Sequence, residues 1–294
     1  MVTTNGVATM LIFGLGYTAS RLAGRLRAEN WRVIATRRAA GPDVLAFDDA
    51  DGVRAAIAAA THILSSVPPD AAGRDPVLER YGTLLADAPA GWIGYLSSTG
   101  VYGDAGGAWI DETAPTGTGR RSARAQADSA WMSLRQHARV FRLPGIYGPG
   151  RSAFERVLDG RAHRIDLPDQ IFSRIHVDDI VAGVIASFGG PSGTYNLADD
   201  RPTGQNAVIE EACRLLHLPP PPLTSLDDAD LSPMARGFYA ENRRVANGKA
   251  KRLLGWAPRF ADYRSGLLDC LAWSATNSPA SDSNPPTSAS GVQR

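Results

Sequence analysis

The sequence predicts an α/β fold: a doubly wound parallel sheet with a smaller C-terminal region. Three observations predict it. Short apolar runs alternate with segments of helical periodicity through the first half of the 294-residue chain. The first run passes through a glycine turn directly into a helix, and after Pro144 the alternation loosens. Strand–helix alternation of this kind calls for parallel strands covered by helices on both faces.

The elements follow in order. "TMLIF" reads as a buried strand, and Ala19, Leu22, Ala23 and Leu26 then recur at i, i+3, i+4 and i+7, the stripe of an amphipathic helix. "WRVIAT" is a second strand and "DVLAF" a short third. "DGVRAAIAAA" is a helix, "THILSSV" a strand, "PVLERYGTLLADA" a helix and "WIGYLSS" a strand. Positions 122 to 138 give another helix, with Ala123, Ala127, Ala130, Trp131 and Leu134 on one face, and "ARVFRLP" is a further strand. Beyond Pro144, "AFERVLDG" reads as a helix, "RIHVDDIVAGVIASF" as a strand end leading into a helix, and "GTYNLAD" as a strand. "QNAVIEEACRLLHL" is a helix that the proline run 219 to 222 must end. The organisation expected is a nucleotide-binding half over residues 1–145, its sheet completed by parts of 171–200. A mainly substrate-binding region follows over 146–273. Residues 275–294, rich in Ser, Pro and Asn, have little to bury and read as a disordered tail.

Composition excludes several classes. A hydrophobic fraction of 44% and a charged fraction of 21% are ordinary for a globular protein. A net charge of +1 gives no global field for nucleic acid or an acidic membrane, so the partner expected is a small molecule. The two cysteines, Cys213 and Cys270, stand far apart in helical patterns, which suits neither a disulfide framework nor zinc. The apolar run "ATMLIF" is too short for a signal h-region or a membrane span. The expected location is the cytoplasm.

Gly14, Gly16 and Ala19 stand in the order G-x-G-x-x-A between the first strand and helix. Gly14 permits the tight turn, Gly16 lets the backbone approach a pyrophosphate, and Ala19 lets the helix pack closely. The helix start at Tyr17 and Thr18 then offers N–H groups and a positive dipole to the phosphates. About 20 residues beyond such a loop, a dinucleotide site usually carries an acid for the ribose 2′-hydroxyl. This chain has Arg37 and Arg38 there, which favours the 2′-phosphate of NADP over NAD.

With these motifs in place, residues 9 to 273 resemble the extended or atypical short-chain dehydrogenase/reductases, the NAD(P)-dependent epimerase/dehydratase-like proteins. The resemblance implies a Rossmann-type sheet. It also implies adenine contact at Asp48, a nicotinamide-ribose environment at Ser65 and Ser66, and a catalytic serine at Ser98 of "SSTGVYG". "RLPGIYGPGR", which contains Pro144, matches the segment leading to the nicotinamide and substrate. "RIHVDDIVAG" matches the family's R-x-H-V-x-D stretch, where His176 anchors the loop, and "LGWAP" matches the usual close. Helix-paired homodimers are common in the family.

The chain departs from the family at its proton relay. Counting back from Asp128 puts Arg124 at the lysine and Arg120 at the tyrosine of Tyr-x-x-x-Lys. Arg124 can hydrogen-bond ribose hydroxyls and hold positive charge, but a guanidinium does not give up its proton. Spacing of four also allows Arg120, Arg124 and Asp128 to be a surface charge row. A substitute acid must come from elsewhere: Tyr102, four residues after Ser98, is the catalytic candidate, with Tyr147, Asp104, Asp111 and Glu112 as others. Asp178 and Asp179 are placed to cap a helix, and no metal-ligand spacing occurs. Arg142, Arg151 and Arg243 are candidates to meet a substrate phosphate. Two functions remain open: an NADP-dependent oxidoreductase or epimerase-like enzyme acting on a small carbonyl or (nucleotide-)sugar, or an inactive NADP(H)-binding sensor or regulatory protein.

Overall fold

The computed structural model describes residues 7–119 and 122–277. In chain order the elements of the first half are β1 (Thr9–Phe13), α1 (Tyr17–Ala28), β2 (Arg32–Arg37), β3 (Val44–Ala46), α2 (Ala50–Ala59), β4 (His62–Ser65), α3 (Pro76–Ala86), β5 (Trp92–Ser98), β6 (Trp109–Ile110), α4 (Ser122–Leu134) and β7 (Ala138–Leu143). The second half adds β8 (Gly145–Tyr147), α5 (Ala153–Leu158), β9 (Arg164–Ile165), β10 (Arg174–His176), α6 (Val177–Ala186) and β11 (Gly193–Asn196). It closes with α7 (Gln205–Leu215), β12 (Leu223–Thr224), α8 (Pro233–Phe238), β13 (Arg244–Val245), α9 (Gly248–Leu254) and α10 (Tyr263–Asn277).

The main sheet has 7 strands in the order β3-β2-β1-β4-β5-β7-β11, every neighbouring pair parallel. The chain leaves β1 for β2 on one side and returns as β4 on the other, so a crevice opens where the order reverses. The strand period of two sends alternate side chains into two separate cores. Met10 and Ile12 of β1 join Leu22, Phe141 and Val184 on one face, while Leu11 and Phe13 join Val53, Tyr81 and Trp131 on the other. Trp92 lies flat along β5 because position 94 is glycine: a Cβ there would sit 2.3 Å from the indole. A third cluster, with Phe154, Ile209, Cys213, Leu267 and Cys270, packs α5, α7 and α10 together outside the sheet.

Local chemistry fixes several helix starts. Asp75 accepts from the backbone N–H groups of Val77 and Leu78 at 2.9 and 3.0 Å, with Pro76 opening α3. Ser152 and Glu155 form a reciprocal capping box on α5. Asp178 and Asp179 do not cap α6, contrary to expectation. The His176 ring does, its Nδ1 accepting the Asp178 N–H at 3.3 Å. Asp178 instead grips Arg21 of α1, and Asp179, buried, accepts from the N–H groups of Arg259 and Phe260.

Two boundaries differ from the sequence reading. Helix α4 stops at Leu134, because the Ala138 N–H closes a turn onto the Arg135 carbonyl and leads straight into β7. Its buried face holds Ala125, Ala127, Asp128 and Trp131, with Ala130 outside, so Asp128 is no member of a surface charge row. Helix α10 runs through Asn277, which takes residues 275–277 out of the expected tail; the rest of that tail lies outside the described residues. Among the described residues no helix is long and apolar enough to cross a membrane.

Candidate active site

The turn after β1 is shaped by its glycines. Gly14 takes φ +82°, and a side chain there would press on Val67 Cγ2 at 2.9 Å and Ser66 Oγ at 3.1 Å. Ser66 closes the turn from behind, its hydroxyl donating to the Gly14 carbonyl at 2.5 Å. Gly16 faces open space: a Cβ there would meet nothing within 4 Å. Helix α1 starts at that point with no side-chain cap and no acidic residue in its first turn. The first-turn N–H groups at Tyr17, Thr18 and Ala19 and the positive helix end therefore face outward, ready for an anion. Ala19, 1% exposed, seats the helix on the sheet.

These groups border an open cleft of about 1220 Å³. Gly16, Tyr17, Thr18, Ala19, Ser66, Ser98, Arg124 and Pro144 all line it. Ser98 ends β5, and its oxygen accepts the Gly100 N–H at 3.1 Å, which leaves the hydroxyl hydrogen for an acceptor in the cleft. Arg124 sits in the first turn of α4. Its Nη1 donates to the Tyr95 hydroxyl at 3.0 Å and to the Leu96 carbonyl at 3.2 Å, and the guanidinium lies 5.8 Å from the Tyr95 ring centre. Burial pushes the Tyr95 hydroxyl up to about 12, against the opposing pull of Arg124. Arg37 donates to the Leu15 carbonyl of the glycine turn at 3.1 Å. Arg37, Arg38 and Asp48 are exposed at the ends of β2 and β3 and lie outside the cleft lining.

Other expected site residues are placed elsewhere. Ser65 is fully buried, its oxygen accepting the Val67 N–H at 3.4 Å, so only Ser66 of that pair reaches the cleft. Tyr102 is not a cleft acid. The chain turns sharply after Ser98 and carries Tyr102 inward, where its hydroxyl donates to Asn196 Oδ1 at 2.8 Å and accepts from Arg142 at 2.9 Å. Burial raises that hydroxyl to about 12. Arg142 is buried against Asp128 and Tyr102 and cannot meet a substrate phosphate. Arg243 lines the cleft but donates to Glu241 and to the Gly103 carbonyl, whereas Arg151 lines it over the Tyr17 ring, with no carboxylate partner among the described residues.

The remaining acid candidates have structural partners. Asp104 accepts the Asn242 N–H at 2.7 Å, Asp111 accepts from Thr113, and Glu112 accepts the Asn196 N–H at 2.7 Å. Tyr147 does line the cleft, with its hydroxyl 3.4 Å from the Asp262 carbonyl, and burial drives its pKa far up. Arg120 lies outside the described residues.

Sequence reading missed two parts of the site. One is the buried network that runs Ser97–Asp128–Arg142–Tyr102–Asn196; the register of β5 on β7, which sets Ser97 beside Arg142, would have exposed it. The other is the far wall, where Arg174 of the R-x-H-V-x-D stretch is joined by Arg156, Phe172, Phe238 and Tyr239 from segments that carry no shared motif.

No family model matches the sequence. A curated relative from Streptomyces sp, a 3-diazoavenalumate denitrifying reductase, is 30% identical over 143 residues, which is 44% of this chain and 45% of the relative. The match thus spans less than half of that protein. A functionally unknown conserved protein from Silicibacter pomeroyi has a solved structure that superposes with a TM-score of 0.81 at 42% identity, over 90% of this chain and 99% of that one. The human epimerase family protein SDR39U1, solved with NADPH, superposes with a TM-score of 0.73 at 16% identity, over 90% of this chain and 99% of that one. The chain belongs to one family with the Silicibacter pomeroyi protein, within the fold of the extended short-chain dehydrogenase/reductases and their epimerase/dehydratase-like members.

Proposed function

We propose that the protein is an NADP-dependent oxidoreductase or epimerase-like enzyme of the short-chain dehydrogenase/reductase type, acting on a small carbonyl or sugar substrate. The observation that carries this reading is that Ser98 and Arg124 line the same cleft onto which the uncapped N-terminus of α1 opens. The residues fit a dinucleotide. Space is open above Gly16, the positive helix end suits the pyrophosphate, Arg124 suits ribose hydroxyls, and Arg37 beside Leu15 suits a 2′-phosphate. A bound nicotinamide would supply hydride transfer at its C4.

Ser98 donates its hydroxyl hydrogen to the substrate oxygen and fixes that oxygen in place. Arg124 holds positive charge beside it and gives up no proton. Titration of the protein with NADPH, followed by loss of reduced-nicotinamide absorbance against a panel of aldehydes, ketones and sugars, tests the reading. Absence of NADPH binding overturns it. A second reading, a cofactor-binding sensor without turnover, is favoured by the Tyr102 hydroxyl being engaged by Asn196 and Arg142. NADPH binding with no oxidation across the panel would support it.

A further inference from the structure

Among the described residues six arginines line the cleft: Arg124, Arg151, Arg156, Arg161, Arg174 and Arg243. Most have committed their charge or their donors. Arg124 is held by Tyr95 and the Leu96 carbonyl, and Arg161 pairs with Asp159. Arg174 donates to the carbonyls of Phe172 and Thr203 and to Gln205 Oε1. Arg243 pairs with Glu241 at 2.9 Å. Arg151 stacks over Tyr17, the first residue of α1, which puts it at the dinucleotide end. Arg156 is exposed, and alone of the six its guanidinium has no hydrogen-bond, ion-pair or ring partner among the described residues.

The same wall is aromatic. Phe172 and Tyr239 meet edge to face, with centroids 5.7 Å apart at 83°. Phe238, the last residue of α8, lines the cleft with 42% of its surface exposed. A large apolar side chain left in water gains when a ligand covers it, and a ring suits an aromatic wall by stacking or edge contact. Tyr239 stands within the fields of both Arg156 and Arg174, so cation and rings share one region of the cleft.

We propose that this wall takes a planar, apolar substrate carrying one negative charge, its rings against Phe172, Phe238 and Tyr239 and its anionic group on Arg156. The proposal rests on the cofactor reading above, which assigns the α1 end of the cleft to the dinucleotide. One uncommitted cation on this wall among the described residues matches one charge. A nucleoside diphosphate brings more than one and would leave part of its charge uncompensated on this wall. Asp230, exposed on the same cleft and without an ion pair among the described residues, opposes any anion and makes a second cation's worth of charge harder to recruit.

Calorimetric titration with benzoate, benzamide and UDP, each with and without saturating NADPH, tests this. Benzoate should bind about tenfold tighter than benzamide, the share of a charge-assisted hydrogen bond, and UDP no tighter than benzoate. Arg156→Ala should remove the preference for benzoate and leave benzamide affinity unchanged. Phe238→Ala, at an exposed position, should weaken both, and Asp230→Asn should strengthen benzoate alone. Equal affinity for benzoate and benzamide in the unmodified protein, a full benzoate preference in Arg156→Ala, or tighter binding of UDP would overturn the proposal. The NADPH titration reports separately. If NADPH fails to bind, the cofactor reading falls, and the titrations without NADPH still decide the wall's preference because its residues are the chain's own.

Discussion

Arg142 and Asp128 form a two-pronged ion pair inside the protein, Nη2 2.8 Å from Oδ1 and Nε 3.0 Å from Oδ2, with side chains 8% and 2% exposed. The pair ties α4 to β7. Ser97 donates to the same carboxylate at 2.8 Å, which ties in β5. The helix that carries Arg124 is thereby fixed to the strand that carries Ser98. Asp128→Ala strands a buried guanidinium and should cost about 3–5 kcal/mol in urea denaturation. The double variant Asp128→Leu, Arg142→Met should recover most of that loss, since apolar replacement of a buried pair is often neutral. Equal destabilisation by both variants would mean the pair itself stabilises the fold.

The cofactor preference follows from charge at the end of β2. Arg37 is exposed, braced on the Leu15 carbonyl, and Arg38 is exposed beside it. Arg37→Ala with Arg38→Ala should weaken NADPH binding by about tenfold or more while leaving NADH nearly unchanged, because one charged hydrogen bond contributes about 1.5–3 kcal/mol. Calorimetry with both cofactors checks it. Equal affinity for NADPH and NADH in the unmodified protein defeats the preference.

Asp199 sets a pH dependence. It is 1% exposed, its Oδ2 has no hydrogen-bond partner among the described residues, and burial pushes its carboxyl from 3.8 up to about 8, against the pull of Arg174. Asp200 and Asp262 push the same way as burial. The folded state therefore keeps a proton that the unfolded chain has released across this range. Stability from this group is full below about pH 4 and is lost as pH rises through 8, a change of order a few kcal/mol. Asp199→Asn, neutral at every pH, should flatten stability between pH 5 and 9 in denaturant titrations. An unchanged slope in the variant means Asp199 is not its source.

The sheet was legible because its signals are local. β1, α1 and the Gly14–Ala19 turn each carry their own period or dihedral requirement, and all of them agree. Ser98 and Arg124, singled out by motif position, both line the cleft. Tyr102 misled because spacing along the chain says nothing of direction once a 3-10 turn intervenes; the turn at Thr99–Val101 rotates it inward. Ser65 misled because the strand period sends neighbouring residues to opposite sides. The strands β8, β9, β12 and β13, of two or three residues, are too short to show a period, and Arg156, Phe172, Phe238 and Tyr239 of the far wall lie in segments with no motif to mark them.

Arg124 provides the test of the altered relay. Its guanidinium is held by the Tyr95 hydroxyl and the Leu96 carbonyl, and it lines the cleft near the residues proposed to hold the dinucleotide. If it serves the nicotinamide ribose in place of a lysine, its loss should be felt only by ligands that carry that ribose. Arg124→Ala should weaken NADPH about tenfold, the share of one charged hydrogen bond, and leave ADP binding unchanged. Arg124→Lys should restore most of the NADPH affinity, since an ammonium can also donate to ribose hydroxyls, though it lacks the fork that reaches two partners at once. Tyr95→Phe removes one of the two bonds that brace Arg124 and should give a smaller loss in the same direction. Urea denaturation of each variant separates this from instability: Arg124→Ala leaves the buried Tyr95 hydroxyl with one partner fewer, a cost of about 1–3 kcal/mol that ADP binding should not register. NADPH bound as tightly by Arg124→Ala as by the unmodified protein would remove Arg124 from the cofactor site and break the correspondence that runs through Asp128.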